Sequence, residues 1–157
     1  MLRLASVGSG SKGNATLVAT DETTILIDCG FPVREMLVRL PQLGVDISDI
    51  DAILVTHEHS DHIGGVAAVA KAAGAQVFAT HGTVASGKLD AVRSLVRIDS
   101  DSSFTIGDIE VNAVTVPHDA REPVQYRFHS GLSCVGVLTD LGWVSPHVLG
   151  AYKGCDL

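Results

Sequence analysis

The stretch His57-Glu58-His59-Ser60-Asp61-His62 sets three imidazoles and two further acids side by side. Imidazole nitrogens and carboxylate oxygens are ligands for zinc, manganese and iron, with zinc bonds of about 2.0–2.2 Å. In extended chain, residues two apart point to the same side, so His57 and His59 can converge on one ion. Asp61 and His62 fall where the chain turns into a helix and can face a second ion. Two such ions about 3.5–4 Å apart can hold a hydroxide between them and stabilise both the attacked centre and the leaving oxygen. That chemistry needs no serine or cysteine nucleophile. The pattern HxHxDH arises by chance in about one chain in a thousand of this composition. Idle surface histidines are therefore a poor account of it.

Such a cluster needs partners from elsewhere in the chain. His118, in TVPHDA, follows the apolar run Val111–Val116, and Asp140, in GVLTDLG, ends another. Each alone has an ordinary explanation, a loop histidine for the one and a turn residue or helix N-cap for the other. Beside the cluster, both become candidate ligands, and Asp140 could bridge two ions. Asp28, in DCG, is either an acid that orients a ligand histidine or a turn aspartate before Gly30. The loop GSGSKGN (Gly8–Asn14) lacks Walker spacing; it is either an anion-binding run of backbone N–H groups or a plain tight loop. His81, His129 and His147 have no matching context and read as structural or surface residues.

The elements that must position these residues follow from periodicity. Leu2–Val7, Ala15–Ala19 and Thr24–Ile27 read as strands, the last two as a hairpin. Pro32–Leu43 has helical spacing, shortened by Pro41 and ended by Gly44. Ala52–Val55 is a continuous apolar strand buried on both faces, immediately before the histidines. Ile63–Ala73 reads as one helix stopped by Gly74, and Gln76–Ala79 as a strand. Hairpins follow at Phe104–Ile106 with Glu110–Val116 and at Val124–His129 with Ser133–Leu138, then a helix at Ser145–Ala151. The closing KGCDL looks like the entry to a further strand. Strands in runs, punctuated by helices, indicate α/β layering.

The 157 residues suit one domain. Apolar runs fall far short of the roughly 20 residues of a membrane span, and the N-terminus lacks the marks of a signal peptide. Three cysteines without a CxxC pair fit reduced thiols, so the expectation is a cytoplasmic protein with no membrane partner. A net charge of −7 argues against broad non-specific nucleic-acid binding. A phosphodiester substrate remains open, because bound divalent ions dominate the local field.

In order along the chain, Asp28, the HEHSDH motif, His118 and Asp140 resemble the metallo-β-lactamase superfamily. The opening LASVGSGSKGNATLV is similar to its WalJ/YycJ-type exonuclease branch. The resemblance implies an αββα sandwich, of which residues 1–157 would be the N-terminal half to two-thirds. By analogy His57, His59 and His118 would hold a first ion, Asp61 and His62 a second, and Asp140 would bridge. Asp61 and Asp140 would thereby take part in catalysis, with Asp28 behind them. The ions would be Zn2+, with Mn2+ or Fe2+ as alternatives. The implied function is hydrolysis of phosphodiesters by a metal-bound hydroxide, as a 5′–3′ DNA exonuclease in DNA repair. Alternatives are a thioester or lactam hydrolase, or a catalytically silent short form. Family members run on beyond this length and carry the last metal-binding histidine there. The chain is accordingly expected to be truncated at its C-terminus, with an incomplete second site and an exposed apolar face open to self-association.

Overall fold

The computed structural model describes residues 1–157 as two stacked β-sheets with helices outside. The first sheet takes its strands in chain order: β1 (Arg3–Gly8), β2 (Ala15–Ala19), β3 (Thr24–Ile27), β4 (Ala52–Leu54), β5 (Gln76–Thr80) and β6 (Leu95–Ile98). The first three are antiparallel, whereas β3 to β6 are parallel. The second sheet is antiparallel throughout: β7 (Ser103–Ile106), β8 (Ile109–Thr115), β9 (Val124–Ser130) and β10 (Ser133–Val137).

Side-chain alternation on the inner strands builds two cores. On β3 and β4, Leu26 and Ile53 face the helices α1 (Val33–Arg39) and α3 (Val66–Ala73), with Met36, Val66 and Val69 against them. Ile25, Ile27 and Leu54 face the second sheet and meet Val111, Tyr126 and Phe128. Burying each of these large side chains stabilises the fold by about 1.5–3 kcal/mol. Two hydrogen bonds also cross between the sheets just past β4. The Tyr126 hydroxyl donates to the Val55 carbonyl at 2.7 Å, and the Val124 N–H donates to the Thr56 carbonyl at 3.0 Å. The fourth layer is α5 (Pro146–Tyr152), started by Ser145, whose hydroxyl accepts from the Val148 N–H. Its Tyr152 lies over Gly136, where a Cβ would stand 2.5 Å from the ring.

Several elements differ from the sequence reading. The helix expected over Ile63–Ala73 is two: α2 (Ser60–Ile63) and α3, separated by Gly64 and Gly65. The break lets the backbone press onto residues 29–31. The Gly65 N–H donates to the Cys29 carbonyl at 2.7 Å, and a Cβ on Gly65 would stand 1.8 Å from the Phe31 carbonyl oxygen. Pro41 ends α1 early, as its missing N–H requires, and Leu40–Leu43 continue as a 3-10 turn capped by left-handed Gly44. A 3-10 turn at Ile47–Asp49, the short α4 (His81–Val84) and the edge strand β6 had no counterpart in the sequence reading. Residues 155–157 run beside β10 with irregular hydrogen bonding and form no regular strand.

The outer face of the second sheet is polar, carrying Glu110, Asn112, Arg127 and His129 between buried inward residues. The broad apolar face anticipated from the sequence is thus not on this sheet. Exposed large apolar side chains are spread over the chain, from Leu4, Leu37, Val38, Leu43 and Leu132 to Leu138, Trp143, Val144, Leu149 and Leu157. No helix is long and apolar enough to cross a membrane.

Gly30 is as tightly packed as Gly65: a Cβ there would lie 2.0 Å from the Asp61 carbonyl oxygen and 2.7 Å from the Gly13 Cα. Both neighbours are backbone, so neither can yield cheaply. Gly30→Ala is expected to lower stability by about 1–3 kcal/mol. Gly150→Ala, in α5 with open space around it, should instead raise stability by up to about 1 kcal/mol. Urea denaturation of both variants checks the contrast.

Candidate metal centre

Strand direction brings the candidate residues together. β1, β3 and β4 run the same way in the first sheet, and β8 and β10 run the same way in the second. Asn14, Asp28, His57, His118 and Asp140 all lie in the segments that follow the C-terminal ends of these strands. His59 is the N-cap of α2, and Asp61 and His62 occupy its first turn.

Ligand-type atoms of His57, His59, His118 and Asp140 lie within 4.8 Å of one another, and those of Asp61, His62 and Asp140 form a second such group. Asp140 belongs to both. Its Oδ2 is 3.0 Å from His62 Nε2, 3.6 Å from His57 Nε2 and 3.7 Å from His118 Nε2. His57 and His118 approach Nε2 to Nε2 at 3.2 Å, and Asp61 Oδ2 is 3.6 Å from His62 Nε2. His57 and His62 are fully buried.

Behind them sits Asp28, buried and with φ at 57°, a left-handed conformation that aspartate tolerates better than most residues. Its Oδ1 accepts the Thr56 N–H at 2.8 Å, while Oδ2 accepts the Thr56 hydroxyl and His62 Nδ1, each at 2.7 Å. With its proton given to Asp28, the Thr56 oxygen is left to accept from His57 Nδ1 at 2.9 Å. One carboxylate thus places the protons of two histidines on Nδ1 and turns both Nε2 atoms toward the cluster. Burial raises the Asp28 pKa, against the opposing pull of His62 and Thr56.

The electrostatics suit a cation. Burial, then the neighbouring histidines and Lys88, hold the His57 pKa at about 3, so its imidazole is neutral and free to ligate. At His62 burial opposes charge, but Asp28, Asp140 and Asp61 outweigh it and raise the pKa. The acids thus favour positive charge at His62, and a divalent ion beside its Nε2 meets the same demand. The residues present fit one or two such ions held by imidazole and carboxylate.

Two supporting residues were not singled out in the sequence. Thr56 is the relay just described. Asn14 makes the GSGSKGN loop a brace, where the sequence reading offered an anion cradle or a plain loop. Its N–H donates to the Asp61 carbonyl at 2.7 Å, and its Nδ2 lies 3.1 Å from Asp61 Oδ2 and 3.2 Å from His62 Nε2. The Gly10 N–H donates to its Oδ1 in turn, at 3.0 Å. Neither position carries a local signal, because each role depends on residues distant in sequence. Between the ligand histidines, Glu58 Oε1 accepts the Arg121 N–H at 2.9 Å, and the Glu58 carbonyl accepts from Lys88 Nζ at 2.8 Å. His81 and His147 pair with Asp99 and Asp101, and His129 lies beside Cys134, all outside the cluster.

Asp28→Asn preserves shape but puts an amide donor where an acceptor is required. It is expected to weaken zinc or manganese binding by about 10–100-fold with strand content retained. Calorimetric titration of chelator-stripped protein measures this, and unchanged affinity would remove Asp28 from the account.

The family model described as the metallo-beta-lactamase superfamily matches residues 8–150. The exodeoxyribonuclease YycJ of Bacillus anthracis is 37% identical over 164 aligned positions, covering 99% of this chain and 60% of that protein. The exodeoxyribonuclease WalJ of Streptococcus pneumoniae serotype 2 (strain D39 / NCTC 7466) is 33% identical, covering 96% of this chain and 58% of that protein. The chain thus spans under two-thirds of the length of these curated relatives. Among solved structures, the Rm3 metallo-beta-lactamase superposes with a TM-score of 0.71 at 22% identity, over 94% of this chain and 66% of that one. At that identity the likeness establishes the fold alone. Sheet order, the paired ligand groups around Asp140 and the family match agree: the chain belongs to the metallo-beta-lactamase superfamily.

Proposed function

We propose that this protein is a metal-dependent phosphodiesterase, and specifically a 5′–3′ DNA exonuclease. The observation that carries the metal chemistry is the Asp140 carboxylate shared by the two ligand groups. The substrate class rests on the two exodeoxyribonucleases aligned along nearly the whole chain. In this reading His57, His59 and His118 would hold one ion and Asp61 and His62 a second, with Asp140 common to both groups. Zinc or manganese fits the donor set, with iron as the alternative. When bound, the ions supply the acidified water that attacks phosphorus and the positive charge that stabilises the leaving oxygen.

The chain's own residues do the rest. Asp28 and Thr56 keep the Nε2 lone pairs of His57 and His62 aimed inward, so less reorganisation is left to the reaction. Asn14 holds Asp61 from behind. Lys88, hydrogen-bonded to the Glu58 carbonyl, and Arg121, whose backbone meets the Glu58 side chain, are exposed cations flanking the cluster. They suit the phosphates of an anionic polymer and place positive charge beside the cluster in a chain whose formal net charge is −7. A lactam or thioester substrate has only the fold likeness in its favour.

Purified protein supplied with Mn2+ or Zn2+ is expected to release nucleotides from 5′ ends of linear DNA. EDTA should abolish the release, and added metal should restore it. Asp140→Ala should lower the rate by more than about 100-fold, beyond the usual cost of losing a residue behind the ligands. Cleavage of thioesters or lactams with no release from DNA would overturn the assignment.

A further inference from the structure

A second reactive cluster lies on the outer face of the second sheet, apart from the metal centre. Cys134 on β10 and Cys155, in the segment that follows α5, are both free thiols, with Sγ atoms 2.9 Å apart. The segment is moored at that point. The Asp156 N–H donates to the Cys134 carbonyl at 2.8 Å, and the Cys134 N–H donates to Asp156 Oδ2 at 2.9 Å. One step on, the Gly136 N–H donates to the Leu157 carbonyl at 2.8 Å. From the neighbouring strand, Arg127 donates Nε–H to Cys134 Sγ at 3.2 Å.

Cys29 is the internal contrast. It is fully buried, its thiol donates to the Phe31 carbonyl at 3.3 Å, and burial pushes its pKa up to about 12. Cys134 is buried too, at 5% exposure, and Cys155 is half-buried with its pKa pushed up to about 11 by burial and by Cys134; what sets this pair apart from Cys29 is that each has the other sulfur within reach. Since a disulfide holds its sulfurs about 2.05 Å apart, closure needs a movement of only about 1 Å.

We propose that Cys134 and Cys155 are a redox modification site, which a hydroperoxide closes into an intramolecular disulfide that fastens the segment after α5 to β10. The Cys134 thiolate attacks one peroxide oxygen and the O–O bond breaks. A sulfenic acid forms, and the departing hydroxide takes a proton to become water. The Cys155 sulfur then attacks the Cys134 sulfur, its S–O bond breaks, and hydroxide leaves with the thiol proton as a second water. Two thiols and one hydrogen peroxide thus give one disulfide and two waters, the sulfurs oxidised and the peroxide reduced. The cross-linked strand is the one whose following loop holds Thr139 and Asp140, so the disulfide would sit on the support of a centre residue.

The test treats the folded chain with hydrogen peroxide, alkylates it after denaturation and maps it by mass spectrometry. Expected are a monomer with a Cys134–Cys155 cross-linked peptide, one alkylated cysteine at Cys29, and reversal by dithiothreitol. Hydrogen exchange at the Gly136 and Asp156 amides should slow on oxidation. Cys155→Ser should leave a sulfenic acid at Cys134 that dimedone traps, and Arg127→Gln should slow closure. Alkylation of all three cysteines after peroxide, cross-links between chains, or sulfinic acid at Cys134 without a cross-link would each overturn the proposal. Unchanged amide exchange in the cross-linked protein would overturn the fastening of that segment to β10.

Discussion

Everything at the centre depends on one buried carboxylate. Asp28 sits in a left-handed turn, accepts three hydrogen bonds, and through Thr56 and His62 decides which nitrogen of two histidines carries a proton. A buried carboxylate is costly unless its lone pairs are satisfied, and here the donors that satisfy it are the histidine at the cluster and the residue preceding another. Stabilising the acid and orienting the cluster are therefore the same set of contacts.

That arrangement works because the chain delivers its chemistry in one direction. Each sheet places strands of common polarity where their following loops converge, and the antiparallel partners return the chain to begin again. The apolar strands carry no ligands themselves. They are rigid supports, and the polar residues appear within a few positions after each strand stops. Glycines at 30 and 65 let the DCG turn and the α2–α3 junction touch backbone to backbone, so the loop with most of the histidines is seated directly on the turn that holds Asp28.

The sequence revealed what is local. HxHxDH after an apolar run, polar residues at the ends of apolar runs, and hairpins around Gly-Asp and Ser-Gly are all patterns within a few residues. The layered architecture followed from them. Less legible were features decided by tertiary contact. Nothing local tells that Thr56 relays a proton preference, or that Asn14 braces Asp61 across 47 positions of sequence. The division of one expected helix into α2 and α3 likewise depends on Phe31, which the helical periodicity does not register. Strand β6 escaped because four residues at the sheet edge, two half-buried, one an exposed arginine and one buried, make too short a pattern to read.

The Tyr126 and Val124 hydrogen bonds between the sheets have a mechanical consequence. The cluster lies on a seam: four of its members follow β4 of the first sheet, while His118 and Asp140 follow β8 and β10 of the second. A small slide or twist of one sheet over the other would pull the two groups apart even if every strand stayed intact. Apolar packing alone resists such sliding weakly, since it is non-directional. The bonds from Tyr126 to Val55 and from Val124 to Thr56 join the sheets at the two residues just before His57, and they act as dowels that set the registration of the two halves of the cluster.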